Sequence, residues 1–178
     1  MCYSGKSTLG KMTADTLGLP FLDSRDLFFK VHGMSEIDYL KKFGREEFIE
    51  AEKTFGIPKE IIAAIIGIES SYGAITGRER VIDSLSTLAF DYPRRSKFFI
   101  KQLEDFLLLA RKEKLDPLVM KGSYAGAMGY GQFMPDSYRN YAVDFDRDGV
   151  RDILNNPVDA IGSVANFLNK KGKWKPNT

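Results

Sequence analysis

Glu69 closes an apolar run, Ile61-Ile62-Ala63-Ala64-Ile65-Ile66-Gly67-Ile68, and leads into Ser70-Ser71-Tyr72-Gly73. The run has the composition of a buried helix, and the carboxylate leaves it into a turn. Burial against apolar neighbours favours the protonated form of a carboxyl group, which a general acid working near neutral pH requires. Glu69 is therefore a candidate general acid, the alternative being a helix-end charge with no chemistry. A second segment, Lys121-Gly122-Ser123-Tyr124-Ala125-Gly126-Ala127-Met128-Gly129-Tyr130-Gly131-Gln132-Phe133-Met134-Pro135, interleaves small residues with aromatics. Such a strip suits a cleft floor that a sugar ring approaches closely. Tyr124 and Tyr130 can stack on sugar faces there or pack between helices.

Cleaving a glycosidic bond needs an acid for the leaving oxygen and normally a second carboxylate as nucleophile or base. Asp83, Asp91, Glu104 and Asp105 lie on helices or at their starts and read as solvated or capping groups. Glu69 is left as a single acid. His32 is the only histidine and Cys2 the only cysteine, which excludes His-dependent nucleophile systems around Glu69, His-rich zinc sites and an internal disulfide.

Asp144-Phe145-Asp146-Arg147-Asp148-Gly149-Val150 is the third chemistry-bearing stretch. Oxygen donors at positions one, three and five, glycine at six and Val150 at seven follow the first half of an EF-hand-type calcium loop. Position twelve, normally a bidentate glutamate, is Asn155. The alternative is an acidic turn closed by Gly149.

Helices must position these groups. Pro58 fits a helix start ahead of the Ile/Ala run. Further helices are expected over Val81–Ala89, from Pro93 to about Lys114, after Pro135, and from Pro157 to about Lys170. In the long one Phe98, Phe99, Leu103, Phe106, Leu107 and Ala110 form a core-facing stripe. The first fifty-odd residues read differently. Gly5-Lys6-Ser7 opens a helix like the second half of a phosphate loop, a short strand is expected at Pro20–Asp23, and Glu36–Thr54 reads as helical. The 178 residues carry 43% hydrophobic and 28% charged residues with net charge +2, an ordinary globular composition that points to no nucleic-acid partner. The basic groups at Arg94, Arg95 and Lys97, and at Lys170, Lys171, Lys173 and Lys175, read as solvated faces or as contacts to an anionic cell wall. No stretch is long and apolar enough to span a membrane, and Met1 is not followed by a signal-peptide core.

From about residue 55 to 174 the Glu69, Ser123–Gln132 and Asp144–Gly149 segments resemble the catalytic core of bacterial lytic murein transglycosylases of the membrane-bound B type. The resemblance implies a mainly α, lysozyme-like domain, incomplete at its C-terminus, over residues 55–178. An appended segment over residues 1–54 precedes it. The resemblance further implies Glu69 as the one general acid and base, releasing a 1,6-anhydromuramoyl end without water. Ser123 and Gln132 would contact substrate, Phe167 would offer a stacking face where the family often has tyrosine, and Asp159 would close a structural Ca²⁺ site with Asp144, Asp146, Asp148 and Val150. No organic cofactor is implied. The expected partner is the peptidoglycan glycan strand, the expected state a monomer, and the place of action periplasmic or outer-membrane-associated.

The first segment resembles the start of shikimate kinase through Gly5-Lys6-Ser7-Thr8-Leu9-Gly10-Lys11, Phe21-Leu22-Asp23-Ser24 and Gly44-Arg45-Glu46-Glu47-Phe48. Arg25 and Ile49 stand where that family usually has a substrate-binding aspartate and arginine, so kinase chemistry is not expected. Two rival readings stay open: a non-catalytic peptidoglycan-binding fragment, and a remnant of a phosphate-loop kinase.

Overall fold

The structure, a computed structural model, describes residues 6–21 and 45–174. It divides into two compact units, Met1–Lys42 and Phe43–Thr178. In the first, helix α1 runs over Lys6–Leu17. It stops where Gly18 takes φ +64° and the Leu19 amide donates back to the Ala14 carbonyl at 2.9 Å, a left-handed glycine stop. The Phe21 ring lies so close over Gly10 that a Cβ there would come within 2.8 Å of it. The expected strand reaches only Pro20 and Phe21 within the described residues, and both are irregular. Residues 36–44 of the expected Glu36–Thr54 helix lie outside them, and residues 45–54 are helical.

The second unit begins with α2, Arg45–Phe55, and α3, Lys59–Ser70. Helix α2 packs on α3 and on the last helix, so the boundary expected after Thr54 falls inside this unit. In α3 the buried positions are Ile62, Ile66 and Ser70, spaced by four along one helical face. Helix α4, Val81–Phe90, buries Val81, Leu85 and Ala89 on the same spacing and packs along α5, Ser96–Glu113. A single 3₁₀ turn over Pro93–Arg95 separates the two. Helices α6, Pro135–Tyr141, and α7, Pro157–Lys170, complete the unit.

Helix α7 is the axis of the core, buried without interruption from Asp159 to Asn166. Small residues make that possible: a Cβ on Gly162 would stand 2.4 Å from the Phe145 ring. The strip expected to face the core on α5 holds at Phe99, Phe106 and Ala110 and fails at Phe98 and Leu107. Phe99, Phe106, Leu109 and Ala110 are buried, whereas Phe98 and Leu107 are exposed. Gln102 and Asp105 occupy the face instead. The Gln102 amide oxygen accepts from the Asp136 amide at 3.1 Å, and Asp105 pairs with the Arg139 guanidinium, so both buried polar groups are satisfied by α6.

The β structure among the described residues is slight. Strands β1, Glu79–Arg80, and β2, Lys121–Gly122, pair antiparallel, Glu79 opposite Gly122 and Arg80 opposite Lys121. This ribbon fixes where the Gly-rich segment leaves α5 and crosses towards α3. Gly77, at φ +107°, lies so near the Gly122 backbone that a Cβ would come within 1.9 Å of its carbonyl carbon. Only glycine permits that approach.

Candidate active site

Helix α3 ends in three successive residues of positive φ: Ser71 at 49°, Tyr72 at 56° and Gly73 at 87°. The Ser71 amide donates to the Gly67 carbonyl at 3.0 Å and the Tyr72 amide to Ile66 at 3.3 Å, which satisfies the last helical carbonyls. Two non-glycine residues in left-handed conformation are costly, and a buried hydroxyl holds them. Ser70 Oγ donates to the Tyr130 carbonyl at 2.7 Å and accepts the Gly73 amide at 3.0 Å. The residue before it, Glu69, is thereby fixed to the far side of the site.

That far side is a tight hairpin. Met128 and Phe133 exchange both backbone hydrogen bonds at 2.9 Å around Gly129-Tyr130-Gly131-Gln132. Gln132 takes φ +48°, and its Nε2 donates to the Thr76 carbonyl at 3.1 Å and the Gly129 carbonyl at 3.0 Å. The side-chain amide thus ties the loop after Gly73 to the hairpin.

Glu69, Gln132 and Phe167 line one cleft of about 360 Å³ together with Gly131, Ser137 and Lys171. The ring of Phe167 is held by Phe133 and Tyr141, each with its centroid 5.3 Å away. Glu69 is the only carboxylate among the described lining residues. It is also exposed, which corrects the expectation of a buried acid. The apolar stripe of α3 faces the core through Ile62 and Ile66, while Ile68 and Glu69 point away from it.

The other expected contacts lie outside this cleft's lining. Ser123 Oγ accepts amides from Ala125 at 3.3 Å and Ala127 at 3.1 Å, closing its own turn. Tyr124 is 81% exposed, an open stacking face. Tyr130 packs on the turn after Glu69: a Cβ on Gly73 would meet its ring at 2.2 Å. Burial pushes the Tyr130 hydroxyl above its usual range, with the Asp152 charge acting in the same direction. Gly5 and the side chains of Lys6 and Ser7 lie outside the described residues. Lys171 lines the cleft as well, although its sequence neighbours mark it only as part of a basic cluster. Its position four residues after Phe167, hence on the same helical face, was the available signal.

Some distance along α7, Asp144, Asp146 and Asp159 offer oxygens within 4.8 Å of one another. Asp159 is wholly buried, accepting the Phe145 amide at 2.7 Å and the Asp152 amide at 2.8 Å. Burial raises its pKa, and the charges of Asp146 and Asp144 add to that rise, against the lowering from the two amides. Three crowded hard-oxygen donors, one of them desolvated, fit a divalent cation of the calcium kind. Asp148 stands apart from this trio: its Oδ1 accepts the Val150 amide at 2.8 Å within the loop. Asn155 turns to the Asp152 carboxylate at 3.0 Å.

The comparisons agree with this architecture. The family described as "Transglycosylase SLT domain" matches residues 37–178. Membrane-bound lytic murein transglycosylase B of Escherichia coli is 56% identical over 122 residues, 68% of this chain and 34% of the relative. The E. coli lytic transglycosylase Slt35 in complex with calcium superposes with a TM-score of 0.70 at 40% identity, covering 94% of this chain and 59% of that one. SltB3 of Pseudomonas aeruginosa in complex with NAG-anhNAM-pentapeptide gives 0.72 at 34% identity, covering 89% of this chain and 42% of that one. This chain therefore belongs to the lytic transglycosylase SLT-domain family. It spans about a third of the curated E. coli relative's length. A shikimate kinase family match covers residues 3–63, overlapping the start of the transglycosylase match.

Proposed function

We propose that the chain carries the catalytic acid and cleft floor of a peptidoglycan lytic transglycosylase that cuts the MurNAc-β-1,4-GlcNAc bond without water. The observation that carries this reading is the cleft with one carboxylate, Glu69, facing an aromatic platform at Phe167. Glu69 protonates the glycosidic oxygen as the bond to C1 breaks. The resulting carboxylate takes the proton of the substrate's own C6 hydroxyl as that oxygen attacks C1. The product is a 1,6-anhydromuramoyl end, and Glu69 is left protonated for the next cycle. A second carboxylate is needed only as a covalent nucleophile or to activate water, and this route uses neither.

Gln132 Oε1 accepts an N–H or O–H from the sugar, Phe167 supports a ring face, and Ser123, Tyr124 and Tyr130 extend the polar and aromatic surface beyond the cleft. Asp144, Asp146 and Asp159 would hold Ca²⁺, which neutralises their mutual repulsion and takes no part in proton transfer. Asp148 and the Val150 carbonyl would join them only if the loop rearranges around the ion. The glycan substrate sets the place of action in the periplasm or at the outer membrane.

A second reading, a peptidoglycan-binding domain without turnover, is favoured by the exposure of Glu69, since a general acid works best in a water-poor site. Mass spectrometry of soluble products from sacculi incubated with the chain and Ca²⁺ separates the two. Anhydromuropeptides from the wild-type chain, absent with Glu69→Gln, support the lytic reaction. Reducing-end products point to hydrolysis, and binding without product to the second reading.

A further inference from the structure

Lys171 is the only cation among the described residues lining the Glu69 cleft. It caps the C-terminus of α7 through its backbone amide, which donates to the Phe167 carbonyl at 2.9 Å. Its side chain makes no ion pair with any described carboxylate. Instead the ammonium stands 5.3 Å from the Phe167 ring centroid and 5.8 Å from that of Tyr141. The charge is thus parked on the platform that a sugar ring would use. An exposed cation–π contact is weak, so the ammonium leaves readily for a better counter-ion.

A chain of N-acetylglucosamine units has no such counter-ion, because it is neutral throughout. A muramoyl unit differs from it by a 3-O-lactyl arm. That arm ends in a carboxylate, or in an amide to a peptide whose residues carry carboxylates. On the reading of the cleft given above, we infer that Lys171 determines specificity by pairing with a carboxylate on the 3-O-arm of the muramoyl residue. Pairing would move the ammonium off Phe167 and open the ring face only for a ligand that brings the negative charge. A muramoyl strand would be admitted and a chitin-like strand left to compete with the lysine for the platform.

The experiment is calorimetric titration of the full chain carrying Glu69→Gln, so that ligand is not consumed, with and without Lys171→Met or Lys171→Arg. Three ligands are compared: a neutral N-acetylglucosamine tetramer, a peptide-free GlcNAc–MurNAc tetrasaccharide with free lactyl carboxylates, and its peptide-bearing form. Lys171→Met should weaken one or both anionic ligands about three- to fivefold, the scale of a solvent-exposed ion pair. It should leave the neutral tetramer unchanged or bound more tightly, and Lys171→Arg should retain the preference. Loss confined to the peptide-bearing form assigns the carboxylate to the peptide, and loss on the peptide-free form to the lactyl group. Equal weakening of all three ligands, or no change in any, overturns the inference, as does failure of all three to bind. The product assay on sacculi stands apart: charge-selective binding without anhydromuropeptides would retain Lys171's role and reject the lytic reaction.

Discussion

The hydroxyl of Ser70 donates to the main-chain carbonyl of Tyr130 at 2.7 Å, across 60 positions of chain, while its oxygen accepts the amide of Gly73. One buried side chain thus closes the strained turn after α3 and fastens it to the glycine-rich hairpin. Glu69 is one bond from that fastening. Ser70→Ala leaves the Tyr130 carbonyl and the Gly73 amide without this partner, which costs about 1–3 kcal/mol. Chemical denaturation should report that loss. The same variant should lower lytic turnover more than it lowers ligand affinity, because the acid shifts while the Phe167 platform stays.

Glu69→Gln should abolish product formation and leave the fold untouched. The side chain is exposed, and substitutions at such positions usually change stability by less than about 0.5 kcal/mol. A thermal midpoint equal to that of the wild type, together with loss of anhydromuropeptides, is the expected pair of results.

Two glycines with positive φ separate backbone strain from crowding. Gly149, at φ +93°, has nothing within 4 Å of a notional Cβ, whereas the Cβ of Gly77 would stand 1.9 Å from the Gly122 carbonyl carbon. Gly149→Ala therefore carries only the left-handed penalty, about 1–2 kcal/mol. Gly77→Ala must also push apart β1 and β2. Its denaturation midpoint should fall well below that of Gly149→Ala, and so should its glycan binding.

Calcium should raise the midpoint of the wild-type chain, by about 2.7 kcal/mol of stability at a hundred times the dissociation constant. Asp144→Asn and Asp159→Asn should abolish the increment. Asp148→Asn should keep most of it, because Asp148 lies outside the three-carboxylate cluster. An equal loss for Asp148→Asn would mean that the loop rearranges to bring this side chain onto the ion.

Tyr138 gives a pH dependence of known sign. It is buried, its hydroxyl donates to the Arg151 carbonyl at 2.7 Å, and burial pushes its pKa well above the ordinary 10.0. The folded state therefore favours the neutral phenol. That stabilisation is complete below pH 10 and is lost as pH rises through the folded value. Tyr138→Phe should be less stable at neutral pH and lose less between pH 10 and 12 than the wild type, as followed by urea denaturation at each pH.

The helix bounds at Val81 and at Pro157–Lys170 were legible because proline and apolar spacing act locally. The buried face of α5 was legible at Phe99, Phe106 and Ala110 but not at its edges. Apolar count alone favours Phe98 and Leu107, but the face is decided by Asp136 and Arg139, which satisfy Gln102 and Asp105 from another helix. For Glu69 the apolar run marked the helix correctly and the exposure of its end wrongly, since cover at a helix terminus comes from elsewhere in the chain. Phe167 and Gln132 line the same cleft as Glu69. Tyr130 also packs on the turn, because the missing Cβ of Gly73 offers its ring a seat that no spacing rule reveals.

Helix α7 bears Asp159 in its first turn and Phe167 eight residues on, about 12 Å away at 1.5 Å per residue. Between them every residue is buried to Asn166, so the segment is packed on all sides along its length. A tilt of about 5° set at the aspartate end becomes about 1 Å at the ring, and an error of that size can cost about a hundredfold in rate. On the proposed function, the ion loop and the sugar platform would be the two ends of one lever. Divalent-ion concentration in the surrounding medium would then act as a tuning screw on turnover, though no ion approaches the reacting bond.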